Sequence, residues 1–255
     1  MFRRSWSIFS ICYFCLMQNK MKTHDKARLW SHLAGYVLIA VFITIGFFIA
    51  PKGQEAFLEY LKEDGLVENL TTLFLLGGSG VAVYRALQSR RSGQRWAVVT
   101  WGVLAFLFFF AAGEEISWGQ RIFNIETPGY FMEKNLQKET NLHNLMIGNI
   151  KVNKLIFSQL LTVALVFYLV FLRLLVKKSG FFHRLVTLTG VPLPSWDHVL
   201  VLLLSSVLIS QYHLLKEGEL RELAFAVVFF LIFLFPVRPG VRQGGDVISS
   251  GGKEN

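Results

Sequence analysis

The chain has 255 residues, 53% of them hydrophobic and 17% charged, with 24 Phe and a formal net charge of +9. Its apolar residues come in long blocks rather than in alternating or amphipathic patterns, a membrane protein's composition that leaves no room for a separate soluble domain. A hydrocarbon core about 30 Å thick needs roughly 20 apolar residues as helix, and six stretches qualify: about 33–50, 66–84, 96–115, 155–176, 196–213 and 220–237.

The expected fold is therefore an all-α integral membrane bundle of about six transmembrane helices. With the N-terminus inside, 17 of the 26 Lys+Arg fall on the cytoplasmic pieces, and 13 of the 17 acids fall outside or at the outer ends of spans. Basic residues are retained preferentially on the cytoplasmic side, so both termini are expected there and the protein in the cell membrane. The net charge then reflects topology and anionic lipid, with no nucleic-acid partner implied. The expected organisation is a cytoplasmic tail over 1–32, a six-helix domain over 33–237 with an external loop over 116–154, and a Gly- and Ser-rich disordered tail over 238–255.

Residues 1–20 carry a basic start, a short apolar stretch and Cys12-x-x-Cys15. They read either as an interfacial segment or as an extension preceding a start at Met21; no A-x-A-like cleavage site follows, and a lone CxxC names no chemistry. The first span contains no charge and ends at Pro51. "QEAFLEYLKEDG" then places Phe57, Leu58 and Leu61 at helical spacing, an interfacial helix that Gly65 breaks. The second span puts Glu68 one turn inside the apolar region and Gly77, Gly78, Ser79 and Gly80 in its inner half, for close packing or a kink.

The third span ends in "GEEISWGQRIF". Helical spacing places Glu114, Ser117, Trp118 and Arg121 on one stripe and turns Glu115 about 100° away, towards Gly119. The loop that follows holds "ETNLHN", where Glu139 and His143 share a face if the piece is helical, flanked by Asn141 and Asn144. A carboxylate and an imidazole at that spacing can bind a metal or act as an oriented base. Beyond the fourth span, Pro192 and Pro194 precede Ser195, a helix N-cap for the fifth. The sixth is short in strictly apolar residues, so its helix is expected to begin among the charges of "KEGELRE".

Fixing the topology gathers Glu63, Asp64, Glu68, Glu114, Glu115, His213, Glu219 and Glu222 at the external face. Acids at outer span ends are partly a consequence of topology, and Glu55, Glu59, Glu133 and Glu217 read as water-facing or capping. Single histidines such as His183, His198 and His213 read as interfacial. Glu68 and Glu115 are harder to dismiss, because a carboxylate at membrane depth costs a few kcal/mol unless paired, protonated or hydrated.

The candidate catalytic residues are Glu68, Glu115, Glu139 and His143. Arg121, Trp118, Asn141 and Asn144 are the candidate substrate-binding residues, with Arg121 either holding an anionic group or ion-paired to Glu114. A divalent metal is considered at Glu68, Glu115 and His143. "GEEISWGQRIF" with "IETP" and "ETNLHN", behind an "EDG..E" entry, resembles a group of uncharacterised bacterial polytopic membrane proteins, best over residues 60–145; that likeness implies a multi-helix membrane fold and no particular activity. The expected function is a membrane-embedded hydrolase or transferase acting on a lipid or lipid-linked substrate at the external face. The alternatives are an assembly subunit of an envelope complex, with a protein partner, and an ion-coupled carrier.

Overall fold

The computed structural model describes residues 5–142, 145–147, 150–151 and 161–237. It is helical almost throughout. Helix α1 (Ser5–Ile49) is one 45-residue rod, so the residues expected as an N-terminal tail continue the first apolar helix. A 3-10 turn at Ala50–Lys52 ends it, and Gly53 at φ 99° redirects the chain into α2 (Gln54–Tyr60). The inward face of α2 is apolar as its spacing predicted, with Phe57 and Leu61 fully buried.

Helix α3 (Leu66–Arg91) starts at Gly65 and runs unbroken to Arg91. Its glycines are contact points: a Cβ at Gly77 would lie 3.1 Å from the Phe230 ring, and one at Gly78 would lie 2.8 Å from Phe108. Of the two uses the sequence allowed for this cluster, close packing is the one observed. Helix α4 (Arg95–Glu115) packs antiparallel on α3 along its length. Ser79 Oγ fastens the pair by donating to the Ala105 carbonyl at 2.8 Å.

Short helices α5 (Gln120–Phe123) and α6 (Gly129–Lys134) lie in the loop after α4. A small antiparallel ribbon, Met146–Ile147 with Ile150–Lys151, follows them, and isolated bridges join Asn135 to Leu145 and Leu193 to Val237. Helix α7 (Leu161–Val166) passes through a π-helical segment (Phe167–Leu172) into α8 (Arg173–Lys178), with right-handed helical backbone at both junctions. Helix α9 (Gly180–Thr189) is short and amphipathic.

Helix α10 (Trp196–Ile209) begins at the expected cap, with the Ser195 hydroxyl and backbone N–H both against His198 Nδ1. Helix α11 (Gly218–Leu234) starts inside "KEGELRE". It is also the centre of the bundle, packed on α1, α3 and α10, with Leu220, Leu223, Val227, Val228, Ile232 and Phe233 almost wholly buried. A helix surrounded on every side must be apolar on every side.

The outer surface of the bundle is as apolar as its interior. On α1, Leu29, Leu33, Val37, Val41, Ile45 and Phe48 form an exposed stripe, while Gly35 and Gly46 on the other face touch Leu231 and Tyr212. Exposed Phe106, Phe109, Leu200, Leu203 and Leu204 continue the belt on α4 and α10. Water does not tolerate so large a contiguous apolar surface; lipid does. Among the described residues, three helices are long and apolar enough to cross a membrane: Asp25–Lys52, Leu66–Arg91 and Arg95–Glu115. Helix α10 is equally apolar but shorter.

Candidate functional site

The site is built where α4 ends. Ile116 terminates the helix, and then Ser117, Trp118 and Gly119 all take left-handed backbone, at φ 47°, 56° and 77°. Only glycine adopts that region freely; each of the other two costs about 1 kcal/mol or more. The reversal folds the indole of Trp118 back over Gly113, where a Cβ would lie 2.9 Å from the ring, and its Nε1–H donates to Glu114 Oε1 at 2.8 Å. The Glu114–Trp118 pairing read from the sequence exists, but through a chain reversal and not a helical stripe. The ion pairs of Arg121 are accordingly with carboxylates other than Glu114.

Arg121 instead reaches across to the start of α3. Its Nε donates to Asp64 at 2.9 Å, its Nη1 to Glu139 at 2.7 Å and its Nη2 to Glu68. Burial pulls the guanidinium's pKa down, but the hydrogen bond to Glu139 and the charges of Glu68 and Glu139 outweigh that and hold it above its usual range. Glu68 is further held by the Asp64 N–H at 2.9 Å. Both Glu68 and Glu139 are thus held by one cation, and with Asp64 they surround its single positive charge with three carboxylates.

The loop that delivers Glu139 is folded by side chains bonding to the backbone. Asn135 Oδ1 accepts from the N–H groups of Gln137 and Glu139, and its Nδ2 donates to the Asn141 carbonyl at 2.8 Å. Asn141 Nδ2 donates to Ser117 Oγ at 2.9 Å and to Glu139 Oε2 at 3.1 Å, while Glu114 Oε2 accepts the Leu142 N–H at 2.6 Å. This segment is turns and extended backbone, so the helical face expected to unite Glu139 with His143 does not form. His143 and Asn144 lie outside the described residues. Asn141 is a buried brace for the loop, and Trp118 a brace for Glu114.

Glu115 has the other surroundings. With α4 ending at that residue, its carboxyl points to α11, not to Gly119. There it meets Glu219 and Glu222; one carboxylate oxygen from each of the three lies within 4.8 Å of the others, and Glu115 and Glu222 are hydrogen-bonding neighbours. These residues share a cavity of about 220 Å³ with Glu63, Glu68, Glu114, Glu139, Arg121 and Lys216. Both cations are spent, Lys216 on Glu63 at 3.0 Å and Arg121 as described. The cavity therefore has seven glutamates and two occupied cations.

Leu75, Ala112 and Ala226, one from each of α3, α4 and α11, pack together as a small buried apolar cluster. Thr72 lies between Glu68 and Leu75 on the same face of α3, and its buried hydroxyl has no hydrogen-bond partner among the described residues. His213 is exposed and does not line the cavity. The sequence placed Glu219 and Glu222 at the outer face but did not single them out; a pair of acids three apart, opening the most buried helix, was the available signal.

A second cluster, His32, Asp197 and His198, occupies the other end of the bundle. His32 Nδ1 lies 2.7 Å from the Arg28 carbonyl and so carries a hydrogen. His198 Nδ1 accepts the Ser195 N–H, which puts its hydrogen on Nε2, donating to His32 Nε2 at 2.9 Å. Asp197 accepts from Tyr36 Oη at 2.6 Å. With both imidazoles satisfied as a hydrogen-bonded pair, no ring nitrogen is left with a lone pair for a metal. This cluster ties α1 to α10.

Comparison with family models, curated proteins and solved structures returns no match, so the reading of the cavity rests on its own chemistry.

Proposed function

We propose that the chain is a six-span membrane protein with both termini cytoplasmic, and that its activity resides in the carboxylate cavity at the external face. The support for six spans is the continuous helical backbone over 161–178, together with the apolar belt that α10 shares with the three long helices. Helix α11 completes the count from the centre. On this reading the chain is a membrane-embedded hydrolase or transferase acting on a lipid or lipid-linked substrate.

The observation that carries the reading is the Glu115–Glu219–Glu222 trio. Carboxylates this close share either protons or a cation. A hydrogen-bonded Glu115–Glu222 pair offers a base and an acid side by side, one to take a proton from an attacking hydroxyl or water and the other to protonate the leaving group. If the cavity takes a cofactor, a hard divalent cation fits the three oxygens; the Glu68 carboxylate, already bound to Arg121, fits less well. The surplus of glutamate, with the charge of Arg121 already faced by three carboxylates, favours a substrate with a positively charged group near the reacting centre, such as an amine-bearing headgroup, over a bare phosphate.

The unbroken α3 removes the one hint of a discontinuous helix, which argues against an ion-coupled carrier. The test is turnover. Purified protein in vesicles of total membrane lipid should convert one lipid class, read by mass spectrometry, and Glu115→Gln or Glu222→Gln should lower the rate by a factor of about 100 or more. Unchanged turnover in both variants would remove the trio from the chemistry.

A further inference from the structure

The opposite end of the bundle carries a different opening. A groove of about 890 Å³ runs between α9 and the start of α4, lined by Gln94, Arg95 and Trp96 on one side and His183, Arg184, Thr187 and Leu188 on the other. No carboxylate lines it, and neither Arg95 nor Arg184 is ion-paired among the described residues. Its width is set by a backbone contact. Gly190, at φ 66°, caps α9 so closely against α4 that a Cβ there would lie 2.8 Å from that of Ala97.

The walls divide by chemistry. On the inner side of α9, Val186 packs with Val176 and Leu193. On the outer side, Phe181, Leu185 and Leu188 are exposed one turn apart, and Trp96 stands exposed across the groove. Between them Arg95 and Arg184 provide the charge, and Gln94, Thr187 and His183 provide further polar groups. Helix α4 adds the positive end of its dipole, since Gln94 gives its first turn no side-chain cap.

Two unpaired guanidiniums above an apolar wall, on an amphipathic helix with an interfacial tryptophan, match one kind of occupant. We propose that this groove is a binding site for an anionic phospholipid, with the headgroup phosphate between Arg95 and Arg184 and the acyl chains along Trp96, Leu185 and Leu188. The proposal rests on the membrane-spanning reading but is independent of the carboxylate cavity.

Native mass spectrometry of the purified protein with equimolar phosphatidylglycerol and phosphatidylcholine tests it. Wild type should retain phosphatidylglycerol in excess. The double variant Arg95→Ala with Arg184→Ala should lose that excess by about tenfold, while Arg90→Ala with Arg91→Ala, which removes equal charge one turn away, should keep it. Glycerol phosphate, which lacks the chains, should not compete at the same concentration. Equal retention of both lipids, an excess untouched by the first double variant, equal loss in the second, or full competition by glycerol phosphate would each overturn the site. A protein that retains no lipid of either kind would instead overturn the membrane reading beneath it.

Discussion

Arg121 holds Asp64, Glu68 and Glu139 on one guanidinium, and the last two side chains are only 10% and 13% exposed. Removing a cation from such a set leaves buried carboxylates uncompensated, which costs about 3 kcal/mol or more. Arg121→Ala should therefore unfold at markedly lower temperature in detergent. Arg121→Lys should recover only part of the loss, because an ammonium lacks the planar fork that meets three acceptors.

Tyr212 is a second residue on which packing depends. It is buried, and its hydroxyl donates to the Ile43 carbonyl at 2.6 Å. Tyr212→Phe removes that bond between α1 and the end of α10 and should destabilise by about 1 kcal/mol; an unchanged melting temperature in detergent would show that the bond does not contribute.

What could be read at this scale was residue type and depth. Glu115 and Glu68 were singled out because carboxylates are costly there, and both line the cavity. Their partners were not legible, because Ser117 and Trp118 adopt left-handed backbone that no propensity favours, and that reversal decides where Arg121 and Glu139 go.

Among the elements, α11 shows how a helix can be underestimated. Its apolar run is short because Glu219 and Glu222 occupy its first turns, yet its full burial makes it the core on which α1, α3 and α10 close. The helix start at Ser195 was legible from cap chemistry, the break at Gly65 from the glycine itself, and the inward face of α2 from its spacing. The condition that "ETNLHN" be helical is not met over 139–142, its described residues, because the Asn135 side chain bonds the backbone of 137, 139 and 141 into turns.

Glycines give the sharpest tests of the packing. Gly78→Ala and Gly190→Ala each drive a methyl group into a neighbour, and Gly190 also has a left-handed backbone, so each should destabilise by about 1–3 kcal/mol. Gly80→Ala meets nothing within 4 Å and should be neutral or slightly stabilising. Comparable melting temperatures for all three variants would contradict the helix contacts described.

At the scale of the whole molecule, six long apolar blocks and a lopsided distribution of Lys and Arg were enough to expect a helical bundle. They could not show that its surface belt is continuous, or that Asp64, Glu68 and Glu139 are locked on Arg121 while Glu115, Glu219 and Glu222 are held in the trio. The proposed topology places residue 92 inside and residue 126 outside. In a background with Cys12 and Cys15 replaced by Ser, a membrane-impermeant maleimide applied to intact cells should label Glu126→Cys and spare Ser92→Cys. The reverse pattern would invert the orientation and place the cavity at the cytoplasmic face.

The central claim is that the trio, and not the Arg121 network, is the reactive part of the cavity. Dicyclohexylcarbodiimide attacks protonated carboxyls in apolar surroundings and spares ion-paired carboxylates, so peptide mapping after treatment reads the distinction directly. Glu115 or Glu222 should carry the adduct, Mn²⁺ should suppress it, and Glu115→Gln with Glu222→Gln should abolish it. An adduct on Glu68 or Glu139 with the trio untouched would contradict the account.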